Sequence, residues 1–202
     1  MKTILAIASV ALALPLVAVA ASQEGAKAAG PTTFEIDPVH SSVTFRLRHL
    51  GVAYATGRFN TLSGELTYDA ADASKCSVSA TVDPASVDTN NDDRDAHLRA
   101  ADFFEVEKHT AMTFASKRVE RVDDDTFRMT GTLTYRGVEQ PLTAEFDLVG
   151  ETVNPRSQRR TIGFTTTFQV DRAAFGDTYG VAQGSLGGTV EVRVDVEASE
   201  KR

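Results

Sequence analysis

The amino-acid sequence predicts an all-β domain of about eight antiparallel strands, closed as a barrel or packed as a sandwich. Three observations carry that reading. From Phe34 onward apolar residues recur at every second position, the period at which strand side chains alternate between two faces. Turn-forming clusters separate the alternating runs, among them Ala70–Ser74, Asp123–Asp125 and Asn154–Ser157. The helical crossovers that parallel strands require are missing, so neighbouring strands run antiparallel.

Taken in order, the chain opens with Met1-Lys2, an apolar run from Ile4 to Leu14, and the small-x-small triplet Ala18-Val19-Ala20. This is the three-part pattern of a secretory signal peptide over residues 1–20. Pro15 interrupts the run and no basic stop-transfer cluster follows, which disfavours a transmembrane anchor. No cysteine stands at the junction to carry a lipid, so the mature protein is expected to be soluble outside the cytoplasm. Residues 21–33 are small, polar and aperiodic and read as a flexible leader. The folded domain is expected over 34–197, with a tail at 198–202.

Within the domain, Val43, Phe45 and Leu47 share one face of the first long strand and Thr44, Arg46 and Arg48 the other. The alternation recurs at Leu66 and Tyr68, through Cys76, Val78, Ala80 and Val82, and at Met112 and Phe114. Phe127, Met129, Gly131, Leu133 and Tyr135 form the next inward set, and Leu142, Ala144, Phe146 and Leu148 follow after Arg136-Gly137, a tight hairpin turn. Ile162 to Val170 and Leu186 to Val196 complete the series, with Glu191, Arg193, Asp195 and Glu197 on the wet face of the last strand. Alternation lapses at Gly57–Leu62, where a bulge or corner is expected. Between Pro84 and Lys108 it stops altogether. Asp92 is placed to cap a short helix carrying Arg94, His97, Leu98 and Ala101 at helical spacing, followed by Phe103, Phe104 and Val106. Such an insertion lies either across a barrel mouth as a lid or against the outer wall.

Charge and composition exclude several functions. Without Lys2 the chain carries a net charge of about −8, against the −7 of the full sequence, which argues against nucleic acid and against electrostatic adsorption to anionic membranes. Cys76 is the one cysteine, has no disulfide partner, and reads as a small buried hydrophobe. No Gly-x-Ser-x-Gly, His-Glu-x-x-His, Cys-x-x-Cys or phosphate-cradling glycine loop is present, and no catalytic residue is assigned. Asp88, Asn90 and Asp92 start like a calcium loop, but Asp93 replaces the turn glycine and Arg99 the closing carboxylate. His40, His49, His97 and His109 match no zinc spacing, so no metal is expected. Asp95 and His97 are two apart on a helix and face different ways. Eleven phenylalanines and no tryptophan supply apolar surface without polar atoms to satisfy. An eight-stranded barrel either fills its interior with side chains or holds one small ligand. Small inward residues such as Ala80, Gly131, Ala144 and Gly188 among large ones suit a tunnel, but composition does not choose between packed and hollow.

The stretches IDPVHSSVTFRLRHLGV, GRFNTLSGELTYD, DTNNDDRDAHLRAADFFEVEKHTAMTF, GTLTYRGVEQPLT and FQVDRAAFG together resemble the YceI family of periplasmic proteins. The resemblance implies an extended, lipocalin-like antiparallel barrel whose cavity binds a polyisoprenoid or another long-chain amphiphile. It implies a non-catalytic carrier with no cofactor, whose partner is a long apolar lipid, with neither nucleic acid nor stable membrane insertion involved, and it is compatible with a homodimer. On this reading the tail lies along Phe45, Leu47, Phe59, Met112, Phe114, Met129, Leu133, Phe146, Phe164 and Phe168. The polar head is expected near Arg46, His49, Asp95, His97 and Asp102. An envelope stress protein acting through a partner surface, or an enzyme on an apolar substrate, are the alternative readings.

Overall fold

Alternating β-branched and aromatic residues drive the chain into strands, which one face of each buries. The computed structural model describes residues 30–202, so the expected signal peptide and most of the leader lie outside the described residues. Eleven strands are found among the described residues: β1 (Thr32–Ile36), β2 (Ser42–His49), β3 (Ala53–Phe59), β4 (Leu62–Tyr68), β5 (Ser77–Val82), β6 (Val87–Asp88), β7 (Met112–Arg121), β8 (Thr126–Tyr135), β9 (Val138–Val153), β10 (Arg160–Asp171) and β11 (Leu186–Glu200). Every pairing between them is antiparallel.

The order β1-β4-β5-β7-β8-β9-β10-β11, with β1 also paired to the end of β11, closes an eight-stranded barrel. The three remaining strands extend it. β2 continues β1 along β11, β3 pairs with β2, and β6 pairs with β3. Three long staves, β1/β2, β4/β3 and β5/β6, are thus each interrupted at one level. Cross-links bind the interruptions: the Asp37 N–H donates to Glu197 O (2.8 Å), the Asn60 N–H to Ser86 O (3.1 Å) and the Asp83 N–H to Thr61 O (3.1 Å). The corner expected near Gly57–Leu62 is the β3/β4 interruption.

Two boundaries differ from expectation. β1 begins at Thr32 and β11 runs to Glu200, because Phe34↔Glu200 and Ile36↔Ala198 are the pairs that shut the barrel, and Ala198 is fully buried. The Arg136-Gly137 turn is as expected, with both residues at positive φ (51° and 71°), the geometry of a two-residue type I′ hairpin.

The lower end of the barrel is packed solid. The rings of Tyr68, Phe127 and Phe164 meet edge to face at centroid distances of 5.8 to 6.1 Å, over buried Phe34, Leu66 and Ile162. The upper end is open between β3 and β7, since β6 is only two residues long and β7 pairs with β5. Residues 89–111 fill that gap. They include helix α1 (Asp92–Arg99), capped by Asn91, whose Oδ1 accepts from the Arg94 N–H (2.9 Å), rather than by Asp92. The helix ends before Ala101. Leu98, Phe103 and Phe104 face the interior, so the insertion lies across the mouth and not against the outer wall.

Candidate ligand-binding site

Above the aromatic floor lies a cavity of about 240 Å³ enclosed by all eight staves. Its wall runs along β10 from Phe164 to Val170 and along β11 from Val190 to Val196, a span of roughly 20 Å at about 3.3 Å per residue. All ten residues named from the sequence for an apolar tail contribute to the wall: Phe45, Leu47, Phe59, Met112, Phe114, Met129, Leu133, Phe146, Phe164 and Phe168. Phe59, Met129 and Phe164 are buried, and the other seven are half-buried although they point into the barrel. Their exposed surface is therefore cavity surface.

Gly131, expected among the small residues of a tunnel, and Gly57, expected at the corner, do something else. A Cβ on Gly131 would sit 2.7 Å from the Phe114 ring, and one on Gly57 would sit 2.4 Å from Cζ of Phe45. Each glycine makes room for an aromatic side chain against the wall. The hollow comes from the barrel's girth.

At the upper end the apolar wall meets a buried charged cluster. Arg172 and Asp177, 2% and 3% exposed, are the charged residues in the cavity wall. The Arg172 guanidinium donates to Asp177 through Nε (3.0 Å, to Oδ2) and Nη2 (2.6 Å, to Oδ1), and to the carbonyls of Gly187 and Tyr179 (3.1 Å each). The Tyr135 hydroxyl donates to Asp177 Oδ2 (2.9 Å). Burial first, then the neighbouring Asp177 charge, push the Tyr135 phenol far above its ordinary value, so it stays neutral. The cluster is net neutral and fully hydrogen-bonded. It holds no nucleophile and base free to exchange a proton.

This triad escaped sequence reasoning. Tyr135 alternates like any other inward residue, Arg172 comes just after the alternating run ends, and a separation of 42 positions from Tyr135 to Asp177 carries no spacing signal.

The head-group candidates scatter. Arg46 lies on the outer face, where it forms a bidentate pair with Glu191 (2.7 and 3.0 Å), because it is out of phase with Phe45 and Leu47. Asp95 is consumed within the lid, its Oδ1 accepting from the N–H (2.9 Å) and hydroxyl (2.5 Å) of Thr89. His49 ends β2 in an exposed position at the rim. His97 and Asp102 do come together, with Nε2 3.1 Å from Oδ2, and the His97 ring packs edge-on to Phe103 and Tyr179 at 5.0 and 5.1 Å. Their pair sits over the outside of the lid, while Phe103 beneath it reaches the cavity.

Other reactive groups have local duties. Cys76 lines the cavity, its sulfur accepts from the Asp69 N–H (3.3 Å), and burial raises its thiol pKa. Asp37, His40 and Glu197 cluster at the waist, away from the cavity, where His40 bonds Asp37 (2.9 Å) across the β1/β2 interruption. Arg94 and Arg99 clamp the lid to its base, Arg94 through Thr89 and Arg99 through the carbonyls of Ala85 and Val87 (2.9 and 3.0 Å).

A family model described as a YceI-like domain matches residues 34–198, nearly the whole described chain. The chain belongs to the YceI family. Among curated YceI-family relatives, a UPF0312 protein of Shewanella sp. (strain W3-18-1) is 38% identical over 75% of this chain and 78% of its own length. Another from Vibrio parahaemolyticus is 35% identical over 83% of each. Among solved structures, the Campylobacter jejuni YceI protein superposes with a TM-score of 0.70 at 31% identity, over 77% of this chain and 90% of that one. A polyisoprenoid binding domain from Saccharophagus degradans superposes with a TM-score of 0.67 at 18% identity, over 84% and 99%, and shares the barrel fold.

Proposed function

We propose that this YceI-family protein is a non-catalytic carrier or sequestering protein for a long-chain isoprenoid or similar amphiphile, held in the barrel cavity of an exported, periplasmic chain. One observation carries the reading: a roughly 20 Å apolar bore, closed by aromatics at one end and by a neutral polar cluster at the other. An isoprenoid tail matches such a bore, since each buried CH₂ contributes about 0.8 kcal/mol and four or five isoprene units exceed ~10 kcal/mol before ordering costs. The Saccharophagus domain with the same barrel, named for polyisoprenoid binding, supports the choice of ligand.

The tail runs along the Phe45–Phe168 wall toward the aromatic floor, and the polar end rests near Tyr135 and Arg172. Because that cluster is already neutral, affinity comes from tail length more than from any charge on the head. No helix among the described residues is long and apolar enough to cross a membrane. The outer face, with Arg46, Arg128, Glu145, Glu191 and Arg193, is that of a barrel surrounded by water.

The test is native mass spectrometry of the mature protein purified from the periplasm without detergent, followed by solvent extraction. A stoichiometric long-chain species is expected, lost in Phe168→Arg, which places a charge within the bore, and kept in the outer-face variant Arg128→Ala. A bare protein mass, with no uptake of added polyprenol or quinone, would reject the carrier reading.

A further inference from the structure

The β2–β3 hairpin ends in a turn whose sequence and backbone disagree. Leu50 and Gly51 sit at φ 52° and 68°, and the Val52 N–H closes the turn onto His49 O (3.1 Å). Turns of this hand favour Asn, Asp or Gly at both positions, because a side chain beyond Cβ is strained at positive φ. Leucine occupies the first position and is left 58% exposed there. Val52 beside it is 84% exposed and Tyr54 53% exposed, so one hairpin tip presents three large apolar side chains to its surroundings. Strain held for a largely exposed apolar side chain points to a partner outside the chain.

The tip stands at the mouth of the cavity. The Leu50 N–H donates to Ser185 O (2.9 Å), tying the hairpin to the loop that carries Asp177 and Tyr179, and the neighbouring β2 residues Leu47 and Phe45 line the bore. The stretch behind the tip carries two arginines, of which Arg46 is paired with Glu191 and Arg48 is in no ion pair among the described residues. Arg46 and Arg48 stack over the Tyr54 ring at 4.9 and 5.4 Å, and no carboxylate occurs between Thr44 and Gly57. Apolar residues at a tip, with a tyrosine and arginines just behind them, reproduce the layering of acyl chains, interface and phosphates in a bilayer. A second copy of the chain fits less well, since a hairpin tip falls far short of the roughly 800 Å² per partner of a stable dimer.

We propose that the β2–β3 hairpin docks reversibly on a phospholipid bilayer, setting the cavity mouth against the membrane from which the ligand is drawn. This rests on the reading of the cavity as a lipid site.

The chain has no tryptophan, so Val52→Trp carries a single reporter at the tip. With vesicles of phosphatidylethanolamine containing a minority of phosphatidylglycerol, its emission is expected to shift to the blue and to be quenched by brominated acyl chains. Replacing Leu50 and Val52 together by Asp is expected to lower vesicle co-sedimentation about tenfold or more, given the apolar area removed. The same change slows transfer of solanesol from vesicles by a similar factor, while uptake of solanesol from ethanol solution is unchanged. Leu50→Gly suits the turn backbone, secures folding, and is expected to lose part of the binding. Unmoved emission from Val52→Trp, or co-sedimentation indifferent to the Asp pair, overturns the proposal. So does a dimer that the Asp pair dissociates with vesicle binding intact, which would assign the tip to a second copy. Vesicle binding without solanesol uptake from either source supports the docking surface and removes the cavity reading, so the two fail separately.

Discussion

Arg172 and Asp177 face each other inside the protein, and each would be left as a naked buried charge by loss of the other. Removing one partner of such a pair costs about 3–5 kcal/mol, while replacing both by apolar residues of similar size is far milder. Arg172→Met and Asp177→Leu are each expected to lower the unfolding free energy by that amount in urea titrations, with the double variant recovering most of it. A second residue-scale prediction concerns pH. The hydrogen bond that the His40 ring donates to the Asp37 carboxylate raises the pKa of His40 above its ordinary 6.5, and the same bond holds Asp37 below its ordinary 3.8. The pair therefore ties β1 to β2 fully between those two values. The tie is lost as pH rises through the raised His40 value or falls through the lowered Asp37 value. An NMR titration is expected to place His40 above 6.5 and, in Asp37→Asn, to return it toward 6.5. The wall residues were legible at this scale because period-two alternation assigns faces directly. Tyr135, Arg172 and Asp177 were not, because nothing local marks three residues that meet only when β8, β10 and the following loop converge.

The element that decides access is the segment 89–111. Its helix spans eight residues and has no strand neighbour on one side, so its stability depends on the Asn91 cap and on the clamps from Arg94, Asp95 and Arg99. Loss of a side-chain cap costs about 1 kcal/mol. Asn91→Ala is expected to raise hydrogen exchange of the α1 amides several-fold and to speed both uptake and release of ligand, with the rest of the barrel unchanged. Unaltered exchange in α1 would remove the cap from this role. The helix was visible in the sequence as a lapse of alternation. The sequence puts the cap one residue late, at Asp92, because Asn91 and Asp92 are both good caps and only backbone angles distinguish them. Whether it roofed the mouth or packed outside depended on the gap left by β6, which pairs through only two residues.

At the scale of the whole molecule, the barrel is shut by residues at opposite ends of the chain, Phe34 with Glu200 and Ile36 with Ala198. A cavity at the centre of such a fold leaves apolar surface without neighbours, which an occupant supplies. Ligand bound only by the folded state stabilises it by about 2.7 kcal/mol at a hundredfold excess over Kd. Protein stripped of lipid is expected to melt several degrees lower than protein as purified, and added polyprenol to restore the difference in a concentration-dependent way. A melting temperature indifferent to stripping and to refilling would count against an occupied cavity.

Local periodicity and contiguous motifs are enough to read the eight staves, the inward face of each, the helical interruption and the family. That the barrel is hollow, that the insertion roofs its mouth, and that Tyr135 meets the buried Arg172–Asp177 pair there emerge only once the chain is folded. Girth, closure and the meeting of Tyr135, Arg172 and Asp177 depend on how distant strands are staggered around a ring. Stagger is a property of pairs of strands, which no single stretch of sequence contains.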